Sequence, residues 1–131
     1  MVDLDGSGGL STAIIAASLS GKVYAIDNDG SQRWVYDAQD IVRGTPGFCD
    51  VDGNGSVEVF IGSSNGNLYG VKHNGAALQG FPLGTGENIE SSPVFSDLNG
   101  DGAPEMIVST MVGFIHVYDF GQGTWYSGFP V

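Results

Sequence analysis

The chain has few of the features that would indicate a disulfide scaffold, a membrane span or a nucleic-acid-binding surface. Its one cysteine, Cys49, cannot form an internal disulfide. It has no apolar run of about 18 residues or more and no basic-then-apolar start, so neither a membrane span nor a signal peptide is predicted. Only 4 basic residues stand against 15 acidic ones, which gives a formal net charge of −11. Because such a surface repels phosphate groups, we expect no nucleic-acid partner.

The rest of the composition favours a folded protein made of short strands. Hydrophobic residues make up 41% of the chain and charged residues 15%, which leaves enough apolar surface for a core. Glycine is abundant at 22 residues and proline is modest at 5. Many glycines suit tight turns between strands better than long helices. The composition therefore indicates an all-β fold.

An internal repeat with a spacing of 47 residues organises the chain. The tetrapeptides Asp-Leu-Asp-Gly, Asp-Val-Asp-Gly and Asp-Leu-Asn-Gly begin at Asp3, Asp50 and Asp97. The Thr-Pro-Gly-Phe segment at 45–48 recurs as Ser-Pro-Val-Phe at 92–95. Each unit is predicted to be a four-stranded antiparallel meander, and meanders repeated every 40 to 50 residues or so are typical of β-propeller blades.

The predicted strands follow the apolar segments between turn residues. In the middle unit Asn-Gly turns separate the later strands, because both residues of such a turn can take positive φ. The middle unit has predicted strands at 45–49, 57–63, 67–72 and 78–83. The third unit has predicted strands at 93–96, 105–111, 114–120 and 125–131. The first unit is predicted to lack its first strand and to have the others at 13–18, 22–27 and 32–37.

The repeat divides the chain into about three blades, predicted at 1–44, 45–91 and 92–131. Propeller rings usually contain about 4 to 8 blades, so three blades cannot close a ring. We therefore expect a fragment of a larger propeller. The alternative is a ring completed by self-association through exposed blade faces, because an open stack leaves apolar faces uncovered.

The acidic loop in each repeat is a candidate calcium site. Ca²⁺ takes about 6 to 8 oxygen ligands, and a tight loop can direct the side chains at positions one, three, five and nine inward while position seven offers a backbone carbonyl. Glycines permit the sharp bend. The predicted ligands of the second loop are Asp50, Asp52, Asn54, Ser56 through its carbonyl, and Glu58. Those of the third loop are Asp97, Asn99, Asp101, Ala103 through its carbonyl, and Glu105.

The first loop departs from this spacing. Counting to its ninth position reaches Ser11, whereas aligning the following strand places Ala13 at the position of Glu58. Neither residue supplies a carboxylate, so weaker calcium binding or none is expected. The weaker metal candidates there are Asp3, Asp5 and Ser7.

The acidic loops also admit other interpretations. Asp, Asn and Gly also form good turns without any metal. An EF-hand needs a Glu at position twelve, where this chain has Ile61 or Val108. Mg²⁺ is disfavoured because it prefers few protein ligands and several waters.

These loops resemble a known family when taken with the residues that follow them. The segments Val-Phe-Ile-Gly-Ser-Ser-Asn-Gly-Asn-Leu-Tyr at 59–69 and Gly-Phe-Pro at 80–82 are similar to FG-GAP/VCBS repeats. Such repeats occur in integrin α-subunit propellers and in many bacterial secreted or surface proteins. The resemblance implies calcium bound between a blade's first two strands, with side-chain ligands from the second and third loops. It also implies an extracellular role in adhesion or ligand binding.

A second resemblance concerns the first unit. Ser-Gly-Lys-Val-Tyr-Ala-Ile-Asp at 20–27, with Gly30 and Trp34, is similar to a blade of the pyrroloquinoline-quinone type of propeller.

The leading functional prediction is a non-catalytic, calcium-stabilised segment of a secreted or cell-surface protein that recognises a protein or glycan ligand. The alternative is part of a propeller enzyme of the polysaccharide lyase or quinoprotein type. The four basic residues are scattered, which argues against an active-site cluster. A third interpretation makes the blades spacer architecture.

Overall fold

The computed structural model describes residues 1–8 and 12–131, and within these ranges it contains twelve β-strands and no helix. The strands form three four-stranded sheets in which every neighbouring pair is antiparallel. The predicted all-β class is confirmed.

The first sheet has all four of its strands. They lie in chain order as β1 (Val2–Asp3), β2 (Thr12–Ala17), β3 (Lys22–Asp27) and β4 (Gln32–Asp37). Val2 pairs with Ala13 across β1 and β2. The prediction that the first unit lacks its first strand is therefore wrong. A strand of two residues is too short to show the alternation of apolar and polar residues that identifies strands in a sequence.

The second and third sheets repeat this topology. The second contains β5 (Gly47–Cys49), β6 (Glu58–Gly62), β7 (Asn67–Val71) and β8 (Leu83–Gly84). The third contains β9 (Val94–Ser96), β10 (Glu105–Ser109), β11 (Ile115–Asp119) and β12 (Thr124–Trp125). In each sheet the acidic loop joins the first strand to the second.

The outermost strands are shorter than the sequence indicates. Segments 78–83 and 125–131 were predicted as whole strands, but the regular strands there are Leu83–Gly84 and Thr124–Trp125. Other residues of these segments make single backbone contacts, such as the amide of Leu78 with the Gly70 carbonyl at 2.8 Å. Gly80 and Gly128 have φ of 88° and 96°, which turns the chain away from strand geometry. The proline two residues later in each segment has no N–H to donate to a ladder.

The hairpin turns also differ in detail from the prediction. The amide of Gly66 donates to the Ser63 carbonyl at 3.1 Å, and Gly66 has a φ of 81°. Asn65 is not in the positive-φ region. The connection is therefore a three-residue loop with glycine alone in the left-handed conformation, rather than a two-residue turn with positive φ at both positions.

Two hydrophobic cores lie between neighbouring sheets, because residues of β6 alternate between them. Val59 and Ile61 pack in the core shared with the first sheet, whereas Phe60 packs in the core shared with the third. Every residue of β6 is buried. The three sheets follow one another in a stack that does not close into a ring.

Polar contacts reinforce the junctions between sheets. The indole Nε1–H of Trp34 donates to the His73 carbonyl at 2.9 Å, and the amide of Thr45 donates to Ser92 Oγ at 2.8 Å. At the far side of the stack, Val94 and Ile115 of the third sheet remain exposed.

Candidate metal centres

The second acidic loop gathers three carboxylates at the start of β6. One oxygen each from Asp50, Asp52 and Glu58 lies within 4.8 Å of the others. Glu58 pairs with Cys49 across β5 and β6, which places its side chain beneath the loop, and it is only 1% exposed. Its Oε2 accepts the amide of Val51 at 3.1 Å. Three of the five residues predicted as ligands are thus brought together.

Backbone hydrogen bonds give this loop its curvature. Asp50 accepts the amides of Asn54 at 3.1 Å and Gly55 at 2.8 Å. Asn54 in turn accepts the amide of Ser56 at 2.7 Å through its side-chain oxygen. Asn54 therefore lies in the loop as predicted, while the ligand role of the Ser56 carbonyl stays a prediction.

The electrostatics of the second loop favour a cation. Burial raises the pKa of the Glu58 carboxyl, and the neighbouring charges of Asp52 and Asp50 raise it further against the hydrogen bond from Val51. Burial also acts to raise the pKa of Asp50, but the hydrogen bonds from the loop amides outweigh it and leave that pKa below its ordinary value. A carboxylate kept charged beside one that resists ionisation is a site that a positive ion would stabilise.

The third loop gathers a different set of carboxylates. One oxygen each from Asp101, Glu105 and Asp119 lies within 4.8 Å of the others. Glu105 is fully buried, and its Oε2 accepts the amide of Leu98 at 2.5 Å, the same contact that Glu58 makes in the second loop. Of the predicted ligands, Asp101 and Glu105 belong to this set.

The remaining predicted ligands of the third loop lie around this set. Asp97 accepts the amides of Gly100 at 2.6 Å and Gly102 at 3.0 Å and is not part of the three-carboxylate group. The side-chain amide of Asn99 donates at 3.1 Å to Asp101 and to Glu105. The amide of Ala103 donates to Asp101 at 2.8 Å, while the ligand role of its carbonyl stays a prediction.

Sequence reasoning missed Asp119. It ends β11, pairs with Glu105 of β10 and is 1% exposed. The signal was present in the hairpin, because antiparallel pairing around the turn at Met111 and Val112 places positions 105 and 119 opposite each other. Asp119 lies on the third strand of the blade, outside the loop pattern that indicated the other ligands.

The first loop lacks a glutamate at the position that Glu58 and Glu105 occupy in the second and third blades. Ala13 pairs with Val2 as Glu58 pairs with Cys49, so alanine does occupy the glutamate position, as the strand alignment predicted. Ser11, the other candidate for that position, lies outside the described residues.

The weaker candidates of the first loop make turn contacts. Asp3 accepts the amide of Gly8 at 2.9 Å, and Asp5 accepts the amide of Ser7 at 3.1 Å. This loop also touches the second one, since the amide of Val57 donates to the Leu4 carbonyl at 2.9 Å.

The carboxylate-rich donor sets of the second and third loops fit a hard cation such as Ca²⁺, which prefers oxygen ligands. Residues 50–108 match the family model described as FG-GAP-like repeat. The chain carries an FG-GAP-like repeat. The matched segment includes both acidic loops and extends into β10. None of the curated protein sequences matches the chain.

Solved structures identify the fold of the chain. BBS1N in complex with ARL6DN, in a crystal soaked with mercury, superposes with a TM-score of 0.65 at 18% identity, covering 94% of this chain and 38% of that one. The C-terminal domain of PilY1 from Pseudomonas aeruginosa superposes with a TM-score of 0.58 at 14% identity, covering 93% of this chain and 32% of that one. The three sheets are therefore β-propeller blades, and the chain spans well under half of each neighbour.

In the described parts of the chain, no helix has the length and apolar character needed to cross a bilayer.

Proposed function

We propose that this chain is a calcium-stabilised propeller segment in which the ion is structural and the assembled blades serve adhesion or ligand recognition. The observation that carries the proposal is the recurrence of a three-carboxylate group at the same end of two successive blades, each closed by a buried glutamate. A single acidic turn would be unremarkable, but buried carboxylates are costly unless they are paired or coordinate a metal.

The ion acts on the connection between a blade's first two strands. In the second blade, Asp50 and Asp52 belong to the loop whereas Glu58 belongs to β6. A cation bound by all three offsets their mutual repulsion and holds the loop against the strand. This gives a structural role with no need for a reacting substrate, and the segment is proposed to be non-catalytic.

The wider role rests on the family. FG-GAP-like repeats are typical of extracellular proteins, which supports a secreted or cell-surface location. One structural neighbour, BBS1N, was solved in complex with ARL6DN, which supports recognition of a protein, and a glycan is the other ligand class considered. Specificity would reside on loops at one face of the blades.

The test is a calcium titration by calorimetry, together with thermal melts in calcium and in chelator. Two binding events are expected, and calcium at about 100 times its dissociation constant should add about 2.7 kcal/mol per site. The variant Asp52→Asn should weaken one event. Asp29→Asn is the matched control, because Asp29 is an exposed acid in a turn outside the loops.

Identical melts in calcium and chelator, with no heat of binding, would reduce the acidic loops to turns and overturn the proposal. Binding that Mg²⁺ reproduces with equal affinity would contradict the assignment to calcium.

A further inference from the structure

The residue at or just after the end of the third strand differs among the three blades in its charge or in its charged partner: Asp27, Lys72 and Asp119. In the first blade Ala13 pairs with Asp27, and Arg33 Nε donates to that aspartate at 2.6 Å. The carboxylate on the third strand of this blade thus has a cationic partner within the protein.

The second blade has a basic residue at the equivalent position. Lys72 precedes Asp119 by the repeat spacing of 47 residues and directly follows β7. The residue that follows the third strand of this blade is therefore basic, and among the described residues the grouped carboxylates come from the loop and β6.

The third blade places two acids opposite each other. Glu105 and Asp119 pair across β10 and β11, and they are 0% and 1% exposed. Asp119 Oδ1 accepts the amide of Gln122 at 2.9 Å, whereas its buried Oδ2 has no hydrogen-bond partner among the described residues. A buried carboxylate oxygen without a partner carries a large desolvation cost unless a cation is bound to it.

The basic side chains with a recorded ion-pair partner contact carboxylates outside this group. Lys22 pairs with Asp37, Arg33 with Asp27 and Arg43 with Glu90. Lys72 belongs to the second blade. The uncompensated charge of Glu105, Asp119 and the nearby Asp101 therefore calls for an ion from solution.

We infer that Asp119 is a metal ligand, and that Asp101, Glu105 and Asp119 form a divalent-cation site that joins the acidic loop to both central strands of the third blade. The inference deepens the calcium role proposed above and rests on it. It assigns the third blade a ligand from the third strand, which the second blade does not have. Calcium is the ion that this all-oxygen set would take.

The chain after Asp119 is shaped to leave room at this site. A Cβ added to Gly121 would lie 3.2 Å from both Asp101 Oδ2 and Asp119 Oδ1, and 3.1 Å from the Ala103 Cβ. The backbone at Gly121 thus passes directly beside two of the three carboxylates. A side chain there would crowd the space where the ion binds.

The test compares wild type with Asp119→Asn. Asparagine keeps an oxygen that can accept the Gln122 amide and has nearly the same size, so the substitution removes chiefly the charge. In calcium titrations the variant should lose about tenfold or more in affinity at one site, because ligand charge tunes calcium affinity, and leave the other site unchanged. In melts the variant should lose much of the stabilisation by calcium, yet melt at the same or a higher temperature than wild type in chelator.

Site-specific readouts and controls complete the design. The amide resonance of Gln122 should shift with calcium in wild type and much less in Asp119→Asn. Glu58→Gln should weaken the other binding event and leave the Gln122 response intact. Asp29→Asn should change neither event.

The outcomes separate the two proposals. If wild type binds two calcium ions and Asp119→Asn binds both equally well, the inference is overturned while the proposed function stands. If wild type binds no calcium, both are overturned. If Asp119→Asn lowers the melting temperature equally in calcium and in chelator, Asp119 has a packing role and the inference is again overturned.

Discussion

Truncation of Phe60 should remove a large part of the protein's stability. The side chain is fully buried in β6, and its ring centroid lies 5.5 Å from that of Phe81, 5.1 Å from Phe95 and 5.4 Å from Phe120. These rings come from both the second and third blades, so Phe60 is central to the core between them. Replacing a buried phenylalanine by alanine typically costs about 3 to 5 kcal/mol.

The cost of Phe60→Ala should lie at the upper end of that range. Each aromatic pair adds about 0.5 to 1.5 kcal/mol beyond buried area, and Phe60 takes part in three of them. We expect Phe60→Ala to lower the free energy of unfolding by about 5 kcal/mol. At about 4 °C per kcal/mol for a domain of this size, the melting temperature should fall by about 20 °C.

The assay is urea unfolding in excess calcium, monitored by tryptophan fluorescence and by circular dichroism. Phe114→Ala is the control, because Phe114 is 42% exposed and its truncation should cost less than about 1 kcal/mol. Phe60→Leu should cost an intermediate amount and keeps the comparison measurable if the alanine variant does not fold. Equal costs for Phe60→Ala and Phe114→Ala would refute the assignment of Phe60 to the inter-blade core.

Two further predictions concern close packing and pH. A Cβ on Gly62 would lie 2.3 Å from Ile89 Cγ2. Gly62→Ala should therefore lower the free energy of unfolding by about 1 to 3 kcal/mol. In a double-mutant cycle, the cost of Gly62→Ala should be smaller when Ile89→Ala is also present. Because the pKa of Glu58 is raised in the folded protein, its ionisation destabilises the metal-free fold as pH rises, so Glu58→Gln should be more stable than wild type in chelator near neutral pH. This difference should shrink as the pH falls towards 4.5, the ordinary pKa of a glutamate, and melts that give a constant difference would contradict the reasoning.

The repeat spacing and the central strands could be predicted from sequence because they depend on local patterns. Segments 57–63 and 67–72 contain β6 and β7 with only one or two residues in excess at the ends. Their apolar residues and flanking turns identify buried strands without knowledge of the partners. The loop carboxylates Asp50, Asp52 and Glu58 were also predictable, since one short segment supplies all three.

The features that the sequence did not predict depend on pairing between distant residues or on the conformation of single backbone positions. β1 has two residues and is recognisable only by its pairing with β2. The outer strand predicted at 78–83 is displaced because Gly80 turns the chain. Asp119 is brought to the third loop by the register between β10 and β11, which the loop sequence alone does not reveal.

The side chains of β6 point alternately to the first and the third blade, so the middle blade should not tolerate a register shift between its strands. Slipping β6 by one residue against β7 would point Val59 and Ile61 away from the first blade and Phe60 away from the third, so both junctions would be mismatched at once. A strand with one solvated side would expose only a single mismatched core after the same slip. The register of β6 therefore fixes how both neighbouring blades pack against the middle one. Single-residue insertions in β6 should be the least tolerated in the chain.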